Sequence, residues 1–162
     1  MDLLILITLG TQDKKFYRLL DAVQNQINNN NIKDKVIVQA GCSCDYKTQD
    51  MKIFDLIPMD DFDRLIKECD LLITHGGVGS IIAGLKNNKK IIAAARLKKY
   101  GEHTNDHQLQ IIDNFLQSGY ILKLQDFDKL GDLIKISQTF KPKKYKSNTS
   151  KFVKLIEKEI GE

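Results

Sequence analysis

Residues 74–80 read THGGVGS, three glycines and a serine between two apolar runs, Leu71-Leu72-Ile73 and Ile81-Ile82-Ala83. Glycine lets a backbone approach a ligand closely and take positive φ. If the second run opens a helix, its first turn offers unpaired N–H groups and the positive end of the helix dipole. Gly76, Gly77, Gly79 and Ser80 would then form an anion site, most naturally for phosphate. The plain alternative is a tight strand-to-helix turn whose glycines serve packing alone. A P-loop needs Lys directly after its second Gly. Residues 79–86 read GSIIAGLK, with Leu85 interposed. A Rossmann fingerprint needs a third glycine where Ile82 stands, and the first apolar run leads only into TLGTQ at 8–12. The turn is a phosphate-binding turn of another kind.

A second stretch, RLKKYGEHTNDHQ at 96–108, holds His103 and His107; the chain's third histidine is His75. Thr104 or Asn105 is the expected N-cap of the next helix, which places Asp106, His107 and Gln108 in its first turn. This mixture of Glu, His, Asp and Gln suits sugar hydroxyls and phosphates, and Arg96 or the lysines beside it would neutralise a diphosphate. His103 and His107 are four apart with Glu102 adjacent, a spacing that raises a metal site. The segment is not H-E-x-x-H and no other segment brings clear ligands, so no metal and no cofactor are expected.

These stretches need rigid elements behind them. Apolar runs at 3–9, 35–40, 52–57, 71–74, 91–95 and 120–124 read as strands. Helical spacing marks 14–27, 60–69, 79–87, 105–117, 126–137 and 147–160, the last through Phe152, Leu155, Ile156 and Ile160. Pro58 ends the third strand. Short apolar strands alternating with helices predict an α/β fold: a doubly wound, mostly parallel sheet forming a single Rossmann-like lobe over 1–162. Ligands on such sheets bind at the carboxyl ends of the strands. That rule selects Gly10-Thr11-Gln12, Gly41–Asp45, His75–Ser80 and Arg96–Thr104.

The 162 residues fit one domain, with 42% hydrophobic and 28% charged side chains. A net charge of +4 is too modest for a nucleic-acid binder, so none is expected. The basic runs at 86–90, 96–99 and 141–146 read first as solvated faces. No apolar run reaches the roughly 20 residues of a membrane span. MDLLILITLG lacks a basic leader and a cleavage site, so it reads as a core strand and the expected address is the cytoplasm. Cys42, Cys44 and Cys69 read as free thiols.

Together, THGGVGS and GEHTNDHQ some 20 residues later resemble the donor-binding half of GT-B glycosyltransferases. ILITLGTQ, FYRLLDAV, RLKKYGEH and FKPKKY extend the resemblance along essentially the whole chain. It is strongest to the small catalytic subunits of bacterial exopolysaccharide and capsule glycosyltransferases, which are similar to the cytosolic subunit of the eukaryotic dolichol-linked GlcNAc transferase. The resemblance implies a UDP-sugar donor. Gly77, Gly79 and Ser80 would meet its diphosphate, Gln108 its sugar hydroxyls, and Gly10 and Thr11 would line the cleft. His75, Glu102 and His103 would be neighbours. The family often carries Glu three residues after the Ser, on the ribose; here Ala83 stands there, and Glu102 is the candidate replacement.

A GT-B enzyme reacts its substrates between two lobes, and this chain has room for one. The family implies a membrane-anchored partner subunit that holds a lipid-linked saccharide acceptor, with this chain peripheral at the inner face of the membrane. The segment 141–162, basic and then helical, is a candidate contact with the partner or membrane. The expected reaction is an inverting transfer of a hexose or N-acetylhexosamine. Its base is His75, Glu102 or Asp106, or comes from the partner. The alternatives are a non-catalytic nucleotide-binding or regulatory subunit and a small flavodoxin-like binder of FMN.

Overall fold

A computed structural model describes residues 3–41, 45–146 and 154. Cys42, Cys44 and, apart from residue 154, the helix expected at 147–160 lie outside the described residues. Six strands form one sheet in the order β3-β2-β1-β4-β5-β6. They are β1 Leu4–Thr8, β2 Lys35–Gln39, β3 Lys52–Phe54, β4 Leu71–His75, β5 Lys90–Ala94 and β6 Leu122–Lys123. Every pairing is parallel. The helices are α1 Tyr17–Asn28, α2 Met59–Glu68, α3 Val78–Lys86, α4 His107–Gln117 and α5 Leu130–Thr139.

The strands are apolar on both faces because both faces are covered. Ile5, Ile7, Ile73 and Ile92 point into one core with α1 and α5. Leu6, Leu72, Ile91 and Ala93 point into the other with α2, α3 and α4. Two helix approaches depend on glycine. A Cβ on Gly84 of α3 would lie 2.8 Å from both Leu72 and Ile91, and one on Gly131 of α5 would lie 2.4 Å from the Gln26 amide of α1.

Several boundaries differ from the sequence reading. β3 pairs over three residues only, since it lies at the sheet edge and its chain turns away before Pro58 to open α2. α4 is capped at Asp106, not at Thr104 or Asn105. The helix expected at 126–137 begins as a 3-10 turn, Phe127–Lys129, because the Asp126 carboxylate accepts the Asp128 N–H at 3.1 Å.

The basic segment 141–146 packs beside the amino ends of β5 and β6, away from the selected loops. Lys143 N–H donates to Gly119 O at 3.0 Å beyond the end of α4. Residues 142–145 line a groove with Leu85, Asn88 and Lys89 at the end of α3. Cys69 is a buried free thiol, and burial pushes its pKa up to about 11. Among the described residues no helix is long and apolar enough to cross a membrane.

Candidate functional site

With β1 and β4 adjacent at the middle of the sheet, the chain reverses its winding between them. Such a switch point opens a crevice at the carboxyl ends of the strands. Thr8 and Thr74 are the last pair of the β1–β4 ladder, and the Thr8 hydroxyl donates to the Thr74 hydroxyl at 2.6 Å. Above them stand the Gly10 loop and the Gly76-Gly77 turn.

That turn is short. β4 ends at His75 and α3 starts at Val78, with Gly77 as an N-cap that offers no side chain. The first bond of α3 runs from Ile81 N–H to Gly77 O at 3.3 Å. The N–H groups of Val78, Gly79 and Ser80 precede it and find no intrahelical acceptor. The glycines differ in purpose. A Cβ on Gly77 would lie 2.2 Å from His75 Cε1, and one on Gly76 would lie 2.6 Å from Gln108 Cβ. Gly10 has φ +81°, and its Cβ would lie 2.8 Å from His75 Nε2. Gly79 has nothing within 4 Å and faces open space.

His75 is thus the post around which the turn and the first loop close. Gln108 holds it. The Gln108 side-chain oxygen accepts Gly76 N–H at 3.1 Å and Arg96 N–H at 3.0 Å. With the oxygen so placed, the amide nitrogen donates to His75 Nδ1 at 3.2 Å. His75 therefore carries its proton on Nε2. Burial, then the charge of Arg96 and the nearness of His103, lower its pKa to about 3. It is neutral at neutral pH and a weak base.

This has a consequence for stability. The folded pKa lies below the unfolded value of about 6.5, so the unfolded chain takes up the proton first as pH falls. The His75 contribution is fully present above about pH 6.5 and is lost on the way down towards pH 3. The expected slope is about 1.4 kcal/mol per pH unit in that window. Urea unfolding at several pH values, compared with His75→Asn, isolates it: the difference between the two proteins shrinks as pH falls. A constant difference would contradict the assignment.

Arg96 and Glu102, expected near donor or proton, are instead braces. Arg96 is 1% exposed. Its guanidinium donates to the carbonyls of Leu9, Lys14 and Glu102, which fixes the first loop against the fifth. Burial lowers its pKa to about 10, so it stays charged, but it faces backbone oxygens within the protein. Glu102 is 3% exposed. Its carboxylate takes a bidentate pair from Arg18 at 3.0 and 2.9 Å, and also Leu97 N–H at 2.9 Å. Arg18 lies 3.9 Å from the centre of the Phe127 ring and 4.4 Å from that of Tyr100. A carboxylate so engaged has spent its oxygens on the protein's own donors and has little left for a ribose. Arg18 itself was not singled out in the sequence.

The remaining members of the second stretch organise its loop. The Asp106 carboxylate accepts Lys98 N–H at 2.7 Å. His107 N–H donates to the Asn105 side chain at 3.1 Å, and His107 Nδ1 is buried without a partner. His103 Nδ1 accepts Asn105 N–H at 3.3 Å, and its Nε2 lies 3.3 Å from the Gln12 amide nitrogen.

Beside the turn opens a cleft of about 310 Å³. Gly10, Thr11, Gly79 and Ser80, selected from the sequence, line one side with Ala83, where the family's Glu is missing, and Gln39 lines the cleft as well. Leu56, Ile57, Met59, Phe62 and Asp63 line the other, and these were missed. Leu56 is 55% and Met59 71% exposed, large apolar surfaces left open at the cleft mouth. The one signal available was two apolar residues directly before Pro58, which reads equally well as a strand end. Gln39 braces the cleft by donating to Gly10 O at 2.9 Å and Asp55 O at 3.2 Å.

A parallel six-stranded lobe with an uncapped glycine turn and a cleft at its switch point is one half of a GT-B architecture. A family model described as the glycosyltransferase family 28 C-terminal domain matches residues 4–160, and the chain belongs to that family. The UDP-N-acetylglucosamine transferase subunit ALG13 of Candida glabrata is 34% identical over 80 residues, which span 48% of this chain and 37% of that relative. The match therefore covers little more than a third of the relative's length. A solution structure of ALG13 superposes with TM-score 0.62 and 21% identity, covering 96% of this chain and 95% of that one. MurG of Acinetobacter baumannii gives TM-score 0.59 and 16% identity, with 98% of this chain on 50% of that one. At these identities both likenesses speak for the fold alone.

Proposed function

We propose that the chain is the donor-binding lobe of a two-component glycosyltransferase and that the cleft takes a UDP-sugar. The observation that carries this is the pairing of two unlike walls. On one side the α3 N-terminus offers free N–H groups and the Ser80 hydroxyl, which suit a diphosphate. On the other, Ile57, Met59 and Phe62 offer an apolar wall that suits a nucleobase. The named relative is a UDP-GlcNAc transferase subunit, which favours an N-acetylhexosamine donor and gives the exopolysaccharide assignment no support.

In this reading an acceptor hydroxyl attacks the anomeric carbon with inversion, and the nucleoside diphosphate leaves. Negative charge grows on the leaving group, where the N–H groups of residues 78–80 and the helix dipole stand ready; the step calls for no metal. Gln108 retains one amide hydrogen for a sugar hydroxyl. Of the candidate bases, His75 has its Nδ1 lone pair on the Gln108 amide and Glu102 is paired with Arg18, so the proton of the acceptor goes to Asp106 or to a group on a second lobe. That lobe belongs to a membrane-anchored partner holding a lipid-linked acceptor, and this chain docks at the cytoplasmic face of the membrane. The same engagement of His75 and Glu102 also favours a second reading, a nucleotide-binding subunit without catalytic groups of its own.

Calorimetric titration with UDP, UDP-GlcNAc, UDP-Gal and FMN, without metal, tests the cleft. A UDP-sugar should bind, and Ser80→Ala should weaken it about tenfold, the worth of one hydrogen bond to a charged group. Binding of FMN alone overturns the reading. Sugar transfer by the chain with its partner, lost on Ser80→Ala, separates the enzyme from the regulatory subunit.

A further inference from the structure

We infer that Asp63 is the ribose-recognising and hence specificity-determining residue of the cleft, an inference that rests on the nucleotide reading above. A nucleoside diphosphate laid from Ser80 to the apolar wall places its ribose between them. Among the described residues, four polar side chains line the cleft: Thr11, Gln39, Asp63 and Ser80. Gln39 spends its amide on two backbone carbonyls. Ser80 sits in the first turn of α3, at the diphosphate end. Ala83 leaves the rest of the α3 wall without an acceptor.

Asp63 is the only carboxylate of the set. Met59, Phe62 and Asp63 are spaced i, i+3 and i+4 along α2, so they share the face that lines the cleft. Its neighbours on α2, Asp61 and Arg64, are paired with each other at 3.0 Å. Asp63 is exposed and makes no hydrogen bond or ion pair among the described residues. An ionised carboxylate only accepts, with two oxygens side by side. A ribose presents two neighbouring O–H donors, so one carboxylate can take both in charge-assisted bonds.

The test is a titration of wild type and Asp63→Ala with UDP and with 2′-deoxy-UDP. Repulsion between the carboxylate and the diphosphate acts equally on both ligands, so their affinity ratio isolates the sugar contact. Wild type should prefer UDP about tenfold, and Asp63→Ala should bring the ratio to within about twofold of unity. Thermal unfolding confirms that the variant is folded, as expected for an exposed side chain without partners. A preference kept in Asp63→Ala, or missing in wild type, overturns the inference while UDP binding itself leaves the nucleotide reading standing. If wild type binds neither ligand, the nucleotide reading falls and this inference falls with it.

Discussion

Gln108→Ala is expected to lower the unfolding free energy by about 3–5 kcal/mol and to remove nucleotide binding. The side chain is 6% exposed and satisfies three groups at once. Without it, Gly76 N–H and Arg96 N–H lose their acceptor and His75 Nδ1 loses its donor. Each buried polar group left unsatisfied costs about 1–3 kcal/mol. The Gly76-Gly77 turn then has nothing to hold it over the cleft. Urea unfolding gives the first quantity and UDP titration the second. Gln108→Glu supplies a sharper check. The new carboxylate still accepts from both backbone groups but cannot donate to His75 Nδ1. A proton on His75 would then be stabilised, so the acid-side loss of stability should become shallower than in wild type. An Ala variant as stable as wild type would show that the clamp is ornamental.

Gly77→Ala is expected to cost about 2–3 kcal/mol, as overpacking at a rigid site does, and to abolish nucleotide binding. Backbone strain is not the reason, since Gly77 has φ −77°, open to any residue. The added Cβ would stand 2.2 Å from the His75 ring, and that ring is fixed by Gln108. The ring cannot yield, so the turn must, and its N–H groups shift from the place proposed for the diphosphate. Gly79→Ala is the control. Its Cβ meets nothing within 4 Å, so stability should hold or rise slightly. Two glycines of one motif thus answer oppositely to the same change. Equal destabilisation by both substitutions would mean that the His75 contact is not what demands glycine.

Much of this was legible in the chain. The strand and helix order follows from local apolar spacing, and every expected element within the described residues is present, with ends moved by a few residues. The glycine turn was legible because its residue types have few other uses. The charged members of the site were not. Arg96 and Glu102 have side chains that suit a diphosphate or a proton, and sequence offers no account of which protein groups compete for them. The competitors come from far away: Glu102 meets Arg18 84 residues distant, and Arg96 meets Leu9 87 residues distant.

The sequence by itself determined a parallel α/β lobe, a glycine turn at Gly76–Ser80 ahead of a helix and a kinship with the donor half of GT-B enzymes. Tertiary structure decided what each polar side chain does. The strand order sets β1 and β5 on either side of β4, so the first and fifth loops lock together through Arg96, Arg18 and Glu102. It also swings α2 against α3, which builds the second wall of the cleft and brings Asp63 to it. Apolar periodicity is a local property and survives in a single chain. The partner of a charge is chosen by burial and strand order together, and only the folded chain brings those partners within reach.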